Sequence, residues 1–260
     1  MIPRIIHYCW FGRGRMPQAQ EDCVNGWRKL MPEWQFIRWD ESNFDVRLCP
    51  YTAEAYKDKR WAFVADVARL KALNEMGGVY LDTDVELFTS LETYLENHLF
   101  SGLEIYREEF ERDGLSLLDA EGKPLQPMTQ IPCCGFLSAV VGAEAGHPLI
   151  KECLGFYLNR EARRDDGTLN SIVIDGVLAA HAVNYGFCYV EREQRLPLMT
   201  IYAPSEFAFA GVPITKQAVL YHHTAWSWMP KTRKQRLFLT LDKMHLLKPY
   251  RRLKKLLKRR

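Results

Sequence analysis

Apolar positions along this chain change rhythm at a glycine pair. Over residues 61–76, Phe63, Val67, Leu70 and Met76 recur at helical spacing and predict a helix that stops at Gly77. From Val79 the rhythm becomes that of a strand. Val79, Leu81, Thr83 and Val85 alternate with Tyr80, Asp82, Asp84 and Glu86, which predicts one strand over 79–85 with the second set on a common face. The same reading predicts strands at 4–10, 34–39, 100–105 and 136–141. It predicts helices from Pro17 to about Leu30, then at 52–57, 91–97, 148–159 and 172–181. Residues 106–128 read as a charged loop, and beyond Tyr189 the chain is extended and proline-interrupted up to Tyr221-His222-His223. Strands alternating with helices through the first half predict an α/β fold, with a mostly parallel central sheet flanked by helices on both faces.

Composition narrows the class. In 260 residues, 47% hydrophobic and 12% aromatic, there is ample material for the core of one large α/β domain with helical additions. No apolar run approaches the roughly 18–20 residues of a membrane span, and the start, Met1-Ile2-Pro3-Arg4-Ile5-Ile6-His7, reads as a first core strand rather than a signal peptide. The 7 cysteines are odd in number and lack a C-x-x-C pair, which suits reduced thiols and a cytoplasmic setting better than disulfides or a zinc site.

Charge is unevenly spread. Residues 248–260 hold eight Lys or Arg and no acid, so removing them from the net +3 leaves −5 on the rest. The expected organisation is therefore a main domain over 1–245 and a basic amphipathic helix over 246–260, with Tyr250, Leu253 and Leu257 on one stripe. Such a helix suits an anionic membrane surface and a peripheral location on its cytoplasmic face. A solvated helix end or a nucleic-acid contact are the alternatives.

Four clusters carry candidate chemistry. Asp82 and Asp84, two apart at a strand end, repel each other unless a cation lies between them, and Mg²⁺ or Mn²⁺ binds one or two carboxylates plus substrate phosphates. Two solvated aspartates would be the plainer reading. Asp66 lies in the apolar run Trp61-Ala62-Phe63-Val64-Ala65-Asp66-Val67-Ala68, where a buried acid costs several kcal/mol unless paired. Arg69, one turn on, either braces it structurally or joins it in touching a sugar hydroxyl or phosphate. Tyr221-His222-His223-Thr224-Ala225-Trp226-Ser227-Trp228 offers imidazole, hydroxyl and indole groups, or is an aromatic surface turn. Adjacent histidines on a strand face opposite ways, so one of the two would reach a metal. Tyr8-Cys9-Trp10-Phe11-Gly12 ends the first strand, where an indole can stack on a flat base or simply fill the core.

Taken in order, Ile2-Pro3-Arg4-Ile5-Ile6-His7-Tyr8-Cys9-Trp10-Phe11-Gly12, Ala62-Phe63-Val64-Ala65-Asp66-Val67-Ala68-Arg69, Gly77-Gly78-Val79-Tyr80-Leu81-Asp82-Thr83-Asp84-Val85 and the pair His222-His223 with Ser227-Trp228 resemble the sugar-binding DXD glycosyltransferases. This is glycosyltransferase family 32, which includes yeast mannosyltransferases and bacterial capsular polysaccharide and lipopolysaccharide transferases, and is more distantly similar to the clostridial glucosylating toxins. The dense match covers about residues 2–90. The resemblance implies a Rossmann-like GT-A fold, a UDP- or GDP-sugar donor, Mn²⁺ or Mg²⁺, and retention of anomeric configuration. By position it implies that Trp10, beside Cys9, stacks on the nucleobase, and that Asp66 and Arg69 hold the donor sugar. It further implies that Asp82, with Tyr80 on its face, contacts sugar or ribose, that Asp84 ligates the metal directly with Asp82 and His223 as further ligands, and that Ser227 and Trp228 bind the diphosphate. Glu86 is a candidate acceptor contact. The acceptor would be a saccharide, lipid-linked where the tail docks on membrane.

Two other classes compete. A metal-dependent phosphohydrolase or nucleotidyltransferase would use Asp82 and Asp84 but leaves Trp10, Ser227 and Trp228 without a task. A non-enzymatic nucleic-acid binder would rely on the tail, yet the acidic body argues against it, and no nucleic-acid partner is expected.

Overall fold

The computed structural model describes residues 1–224. Ser227, Trp228, the boundary at 245/246 and the basic helix expected over 246–260 lie outside the described residues. Strand β1 (Ile5–Cys9) pairs in parallel with β2 (Gln35–Trp39) on one side and β3 (Gly78–Leu81) on the other. Helix α1 (Gln18–Leu30) connects β1 to β2, and α2 (Pro50–Lys57) and α3 (Trp61–Met76) connect β2 to β3. These are right-sized crossovers for parallel neighbours.

The remaining elements are β4 (Val85–Leu87), β5 (Leu99–Ile105), α4 (Arg107–Asp113), β6 (Cys134–Ala143), α5 (Pro148–Leu158), α6 (Ile174–Ala182), β7 (Gln194–Leu196), β8 (Met199–Tyr202), β9 (Phe207–Phe209) and β10 (Leu220–His222). The main sheet runs β2-β1-β3-β6-β5-β8-β7. β6 is antiparallel to β3 and β5, and β7 is antiparallel to β8, so five of the seven strands share one direction. This is a mixed, largely parallel α/β sheet, as expected for a GT-A architecture. A second sheet, β4-β10-β9, lies apart from it in hydrogen bonding. No helix among the described residues is long and apolar enough to cross a membrane.

Side-chain alternation divides the core between the two faces of the main sheet. Tyr80, Phe136 and Val141 pack with α2, α3, α5 and α6, whereas Val79, Leu81, Leu137 and Val140 pack with α1 and the small sheet. Helix α3 is enclosed nearly all round: ten residues from Phe63 to Leu73 are buried, including Asp66 and Arg69. A helix that is apolar on every side must be interior, which is how the sequence places two charges in the core.

The turn after α3 needs its two glycines. Gly77 (φ +63°) and Gly78 (φ +103°) adopt left-handed backbone, and a Cβ on Gly78 would stand 2.7 Å from the Ile5 carbonyl oxygen. Fully buried His7 completes the turn: its Nε2–H donates to the Gly77 carbonyl (2.8 Å) and its Nδ1 accepts from Trp39 Nε1 (3.1 Å). Burial keeps this imidazole below its usual pKa, hence neutral.

Three expectations change. The strand predicted over 79–85 ends at Leu81; Asp82-Thr83-Asp84 is a turn closed by Val85 N–H donating to Asp82 O (3.0 Å), and the chain resumes as β4 in the other sheet. Trp27 Nε1 anchors that resumption by donating to Val85 O (2.8 Å). The helix expected at 91–97 is a single 3-10 turn, Glu92–Tyr94. The charged loop after Ile105 contains α4 and a 3-10 turn, Leu115–Leu117, so the charges from Arg107 to Asp113 sit on a helix, while Asp119, Glu121 and Lys123 stay in the irregular part.

Candidate active site

The main sheet delivers Asp82 to the C-terminal end of β3, where ligands bind in open α/β sheets. Its backbone N–H donates to Ala139 O (2.9 Å), fixing it against β6. Asp84 follows across the turn and is held by His223 N–H donating to its carbonyl (3.0 Å). Pairing of β10 with β4 sets His222 opposite Val85, and His222 Nε2 lies 3.3 Å from Asp84 Oδ1. One ligand atom from each of Asp82, Asp84 and His222 falls within 4.8 Å of the others.

Those positions fit a hard divalent ion. Ligands about 2.1 Å from an octahedral ion stand roughly 3 Å apart when adjacent and about 4.2 Å apart when opposite. Two carboxylates and one imidazole also suit Mn²⁺ by chemistry. Burial lowers the His222 pKa, but the Asp84 charge and hydrogen bond, with help from Asp82 and Glu104, push it up to about 9. The two half-buried carboxylates, whose charges attract a cation, are therefore compensated by a proton on the imidazole.

The expected histidine ligand was His223. The structure turns His222 to the acids, while His223 Nε2 faces the exposed Glu86 at 3.1 Å. Strand alternation is the reason: in register with Val85, His222 points to the interior and its neighbour points away.

Behind this cluster, Arg69 organises the acids. Its Nη2 lies 3.0 Å from Asp66 Oδ1 and 3.5 Å from Asp82 Oδ1, and its Nη1 donates to Ser138 O (2.8 Å) and Oγ (3.3 Å). The guanidinium stacks 4.3 Å above the centre of the Tyr80 ring, and Tyr80 OH donates to Asp82 Oδ1 (2.7 Å). Planarity and a fixed donor fork suit arginine to such a multiple brace. Burial raises the Asp66 carboxyl to about 7, against the pull of Arg69 and with a further push from Asp175 and Asp82. Cys9 lies in the same electrostatic neighbourhood; burial holds its thiol protonated, pushed up to about 12. Trp10 is half-buried at the end of β1, its Nε1 donating to Gly14 O (2.7 Å).

A second group of acids lies on the β5–β6 side. Asp175, at the start of α6, accepts from Ser138 N–H (3.1 Å). Its backbone presses on Gly135, where a Cβ would stand 2.9 Å from the Asp175 carbonyl oxygen. Glu104 lies opposite Gly135 across the β5–β6 ladder and accepts from Tyr106 OH (2.5 Å). Burial first, then Asp175, raise the Glu104 carboxyl to about 7.

The structure thus brings together Asp66, Arg69, Tyr80, Asp82 and Asp84, with Cys9 beside them, and turns Glu86 and His223 outward. Sequence reasoning gave the ligand role to His223 rather than His222 and overlooked Ser138, Asp175 and Glu104. The latter two carried the signal that marked Asp66: an acid inside an apolar run, Phe100-Ser101-Gly102-Leu103-Glu104-Ile105 and Ile172-Val173-Ile174-Asp175-Gly176-Val177.

Comparison with known proteins bears on the same stretch. Residues 17–101 match the family described as glycosyltransferase sugar-binding region containing DXD motif. Two curated relatives from Schizosaccharomyces pombe are similar: inositol phosphoceramide mannosyltransferase 3, 32% identical over 106 residues (36% of this chain, 27% of the relative), and inositol phosphoceramide mannosyltransferase 1, 27% identical over 110 residues (38% and 33%). The matched stretch spans about a third or less of those relatives' length. Among solved structures, mouse xyloside xylosyltransferase 1 is similar at TM-score 0.48 and 12% identity, covering 84% of this chain and 96% of that one. The galactosyltransferase LgtC, solved with donor and acceptor sugar analogs, is similar at TM-score 0.43 and 13% identity, covering 85% and 87%. Residues 17–101 match a glycosyltransferase sugar-binding region, and the D-x-D sequence within that stretch is Asp82-Thr83-Asp84.

Proposed function

We propose that the protein is a metal-dependent, retaining glycosyltransferase that moves a sugar from a UDP- or GDP-sugar to a saccharide acceptor in surface glycan synthesis. The observation that carries the reading is the meeting of Asp82, Asp84 and His222 within 4.8 Å, beside the buried Asp66–Arg69 pair, the acids and Arg69 all lying in the stretch that matches a DXD sugar-binding region. The names of the fungal relatives support a lipid-linked acceptor and make mannose the first sugar to try.

In this reading Asp84 and His222 hold Mn²⁺ or Mg²⁺ directly and Asp82 shares it. An ion held there would supply positive charge against the nucleoside diphosphate released when the donor's anomeric C–O bond breaks. Trp10 offers its indole to the base. Asp66 takes donor-sugar hydroxyls, and Arg69 keeps Asp66 and Asp82 in place, so that the polar groups meet the transition state without rearranging. Tyr80 fixes Asp82 by its hydroxyl. Ser227 and Trp228 remain the assigned diphosphate donors by sequence, and the basic tail the membrane contact. A same-face attack by the acceptor hydroxyl accounts for retention without the paired nucleophile and acid of glycosidases.

The test is incubation with UDP-glucose, UDP-galactose and GDP-mannose, with and without MnCl₂, following nucleotide and free sugar separately. Metal-dependent release of nucleoside diphosphate with sugar is expected, abolished in Asp84→Asn. Cleavage of the pyrophosphate to nucleoside monophosphate and sugar 1-phosphate, with no free sugar, would instead identify a phosphohydrolase.

A further inference from the structure

Glu104 has no task in the reaction as described, yet it is costly where it is. It occupies the penultimate position of β5, a strand otherwise buried along its length, and has no Lys or Arg partner among the described residues. A carboxyl in such a place is unfavourable unless hydrogen-bonded or put to use. Tyr106 OH satisfies one oxygen at 2.5 Å, the single hydrogen bond to Glu104 among the described residues, and the other oxygen is not sealed from solvent.

Its surroundings fix the carboxyl rather than neutralise it. The facing residue on β6 is Gly135, whose missing side chain lets the start of α6 close over the ladder. Tyr106 is itself wedged edge-on against Phe209 (5.5 Å), and Phe209 is paired in register with His222. The chain of contacts therefore runs from the metal cluster through β10, β9 and Tyr106 to Glu104. Asp175, His222 and Asp82 all act on it electrostatically.

Position indicates which substrate it serves. The donor-side groups Trp10, Asp66, Arg69 and Asp82 come from β1, α3 and the end of β3. Glu104 lies two strands farther along the sheet, past β6, which is roughly 10 Å at ~4.8 Å per strand. That separation accommodates a pyranose ring seated by Asp66 and Asp82 plus the gap to an incoming oxygen. We propose that Glu104, held by Tyr106, accepts a hydrogen bond from the acceptor saccharide and seats its hydroxyl on the β5 side of the metal cluster. The inference rests on the glycosyltransferase reading and adds the acceptor half of the site. No other cation or donor is needed: a sugar hydroxyl donates, and the open carboxylate oxygen accepts.

The experiment uses the full chain with MnCl₂, the donor that shows turnover among UDP-glucose, UDP-galactose and GDP-mannose, and methyl α-mannoside, methyl β-galactoside and lactose as acceptor probes. Acceptor KM and kcat are measured alongside affinity for UDP or GDP with Mn²⁺ by calorimetry. In Glu104→Gln and Glu104→Ala, transfer kcat/KM for the acceptor should fall about 10–100-fold, as for a lost hydrogen bond to a charged group. Nucleotide affinity should stay within about twofold. Tyr106→Phe, which frees the carboxyl without removing it, should raise acceptor KM by a smaller factor. Unchanged transfer in both Glu104 variants, or nucleotide affinity falling in parallel with transfer, overturns the proposal. So does wild-type protein that consumes a donor yet glycosylates none of the probes. Failure of every donor to release nucleotide from wild-type protein overturns the glycosyltransferase reading instead.

Discussion

If His222 ligates the metal, metal binding must expel its proton. Asp84 and its neighbours hold that imidazole up to about 9, so at pH 7 only about 1% is neutral, and binding carries a penalty of roughly 3 kcal/mol relative to pH well above 9. Affinity for Mn²⁺ should therefore climb about tenfold per pH unit as the pH approaches 9, then level off. Asp66 and Glu104, raised to about 7, also lose protons on the way up. The interval from pH 8 to 9 isolates the histidine, because both acids are then ionised. Calorimetric titration with MnCl₂ in buffers of low and high ionisation enthalpy counts the protons released. About one is expected near pH 8 and almost none above pH 10. His222→Gln should weaken binding and erase the slope, whereas His223→Gln should leave both nearly intact. An affinity flat between pH 8 and 9, or a slope lost in the His223 variant and kept in the His222 variant, refutes the assignment.

Two further outcomes follow. In EDTA, the raised His222 pKa adds stability that is complete below about pH 6.5 and disappears as pH rises through 9; thermal melts across that interval should fall in wild-type protein and flatten in Asp84→Asn. Arg69→Met should destabilise the fold by about 3–5 kcal/mol in urea titrations, because it strips the buried Asp66 and the half-buried Asp82 of their cation; a loss under ~1 kcal/mol would mean that those acids take up protons at little cost.

Elements with one dominant rhythm could be read from the chain. The Phe63–Met76 stripe, the Gly77 stop and the β-rich runs at 4–10 and 34–39 correspond to α3, its cap, β1 and β2. What escaped was set by long-range pairing. Alternation through 79–85 is the same whether the chain stays in one sheet or crosses to another, and only the pairing of β4 with β10 shows the crossing. The choice between His222 and His223 depends on that register too, since a slip of one residue exchanges their faces. Glu104 and Asp175 fall within apolar runs whose pattern was read for secondary structure, and only β6, with the bare Gly135 between them, makes them neighbours.

The motif Asp82-Thr83-Asp84 is a bend linking two separately hydrogen-bonded sheets, and the third ligand returns on the smaller one. An ion seated there would rivet one sheet to the other. Its release should leave the seven-stranded layer intact and speed amide hydrogen exchange selectively in β4, β9 and β10. Loading with manganese would be felt first as stiffness in those three short strands.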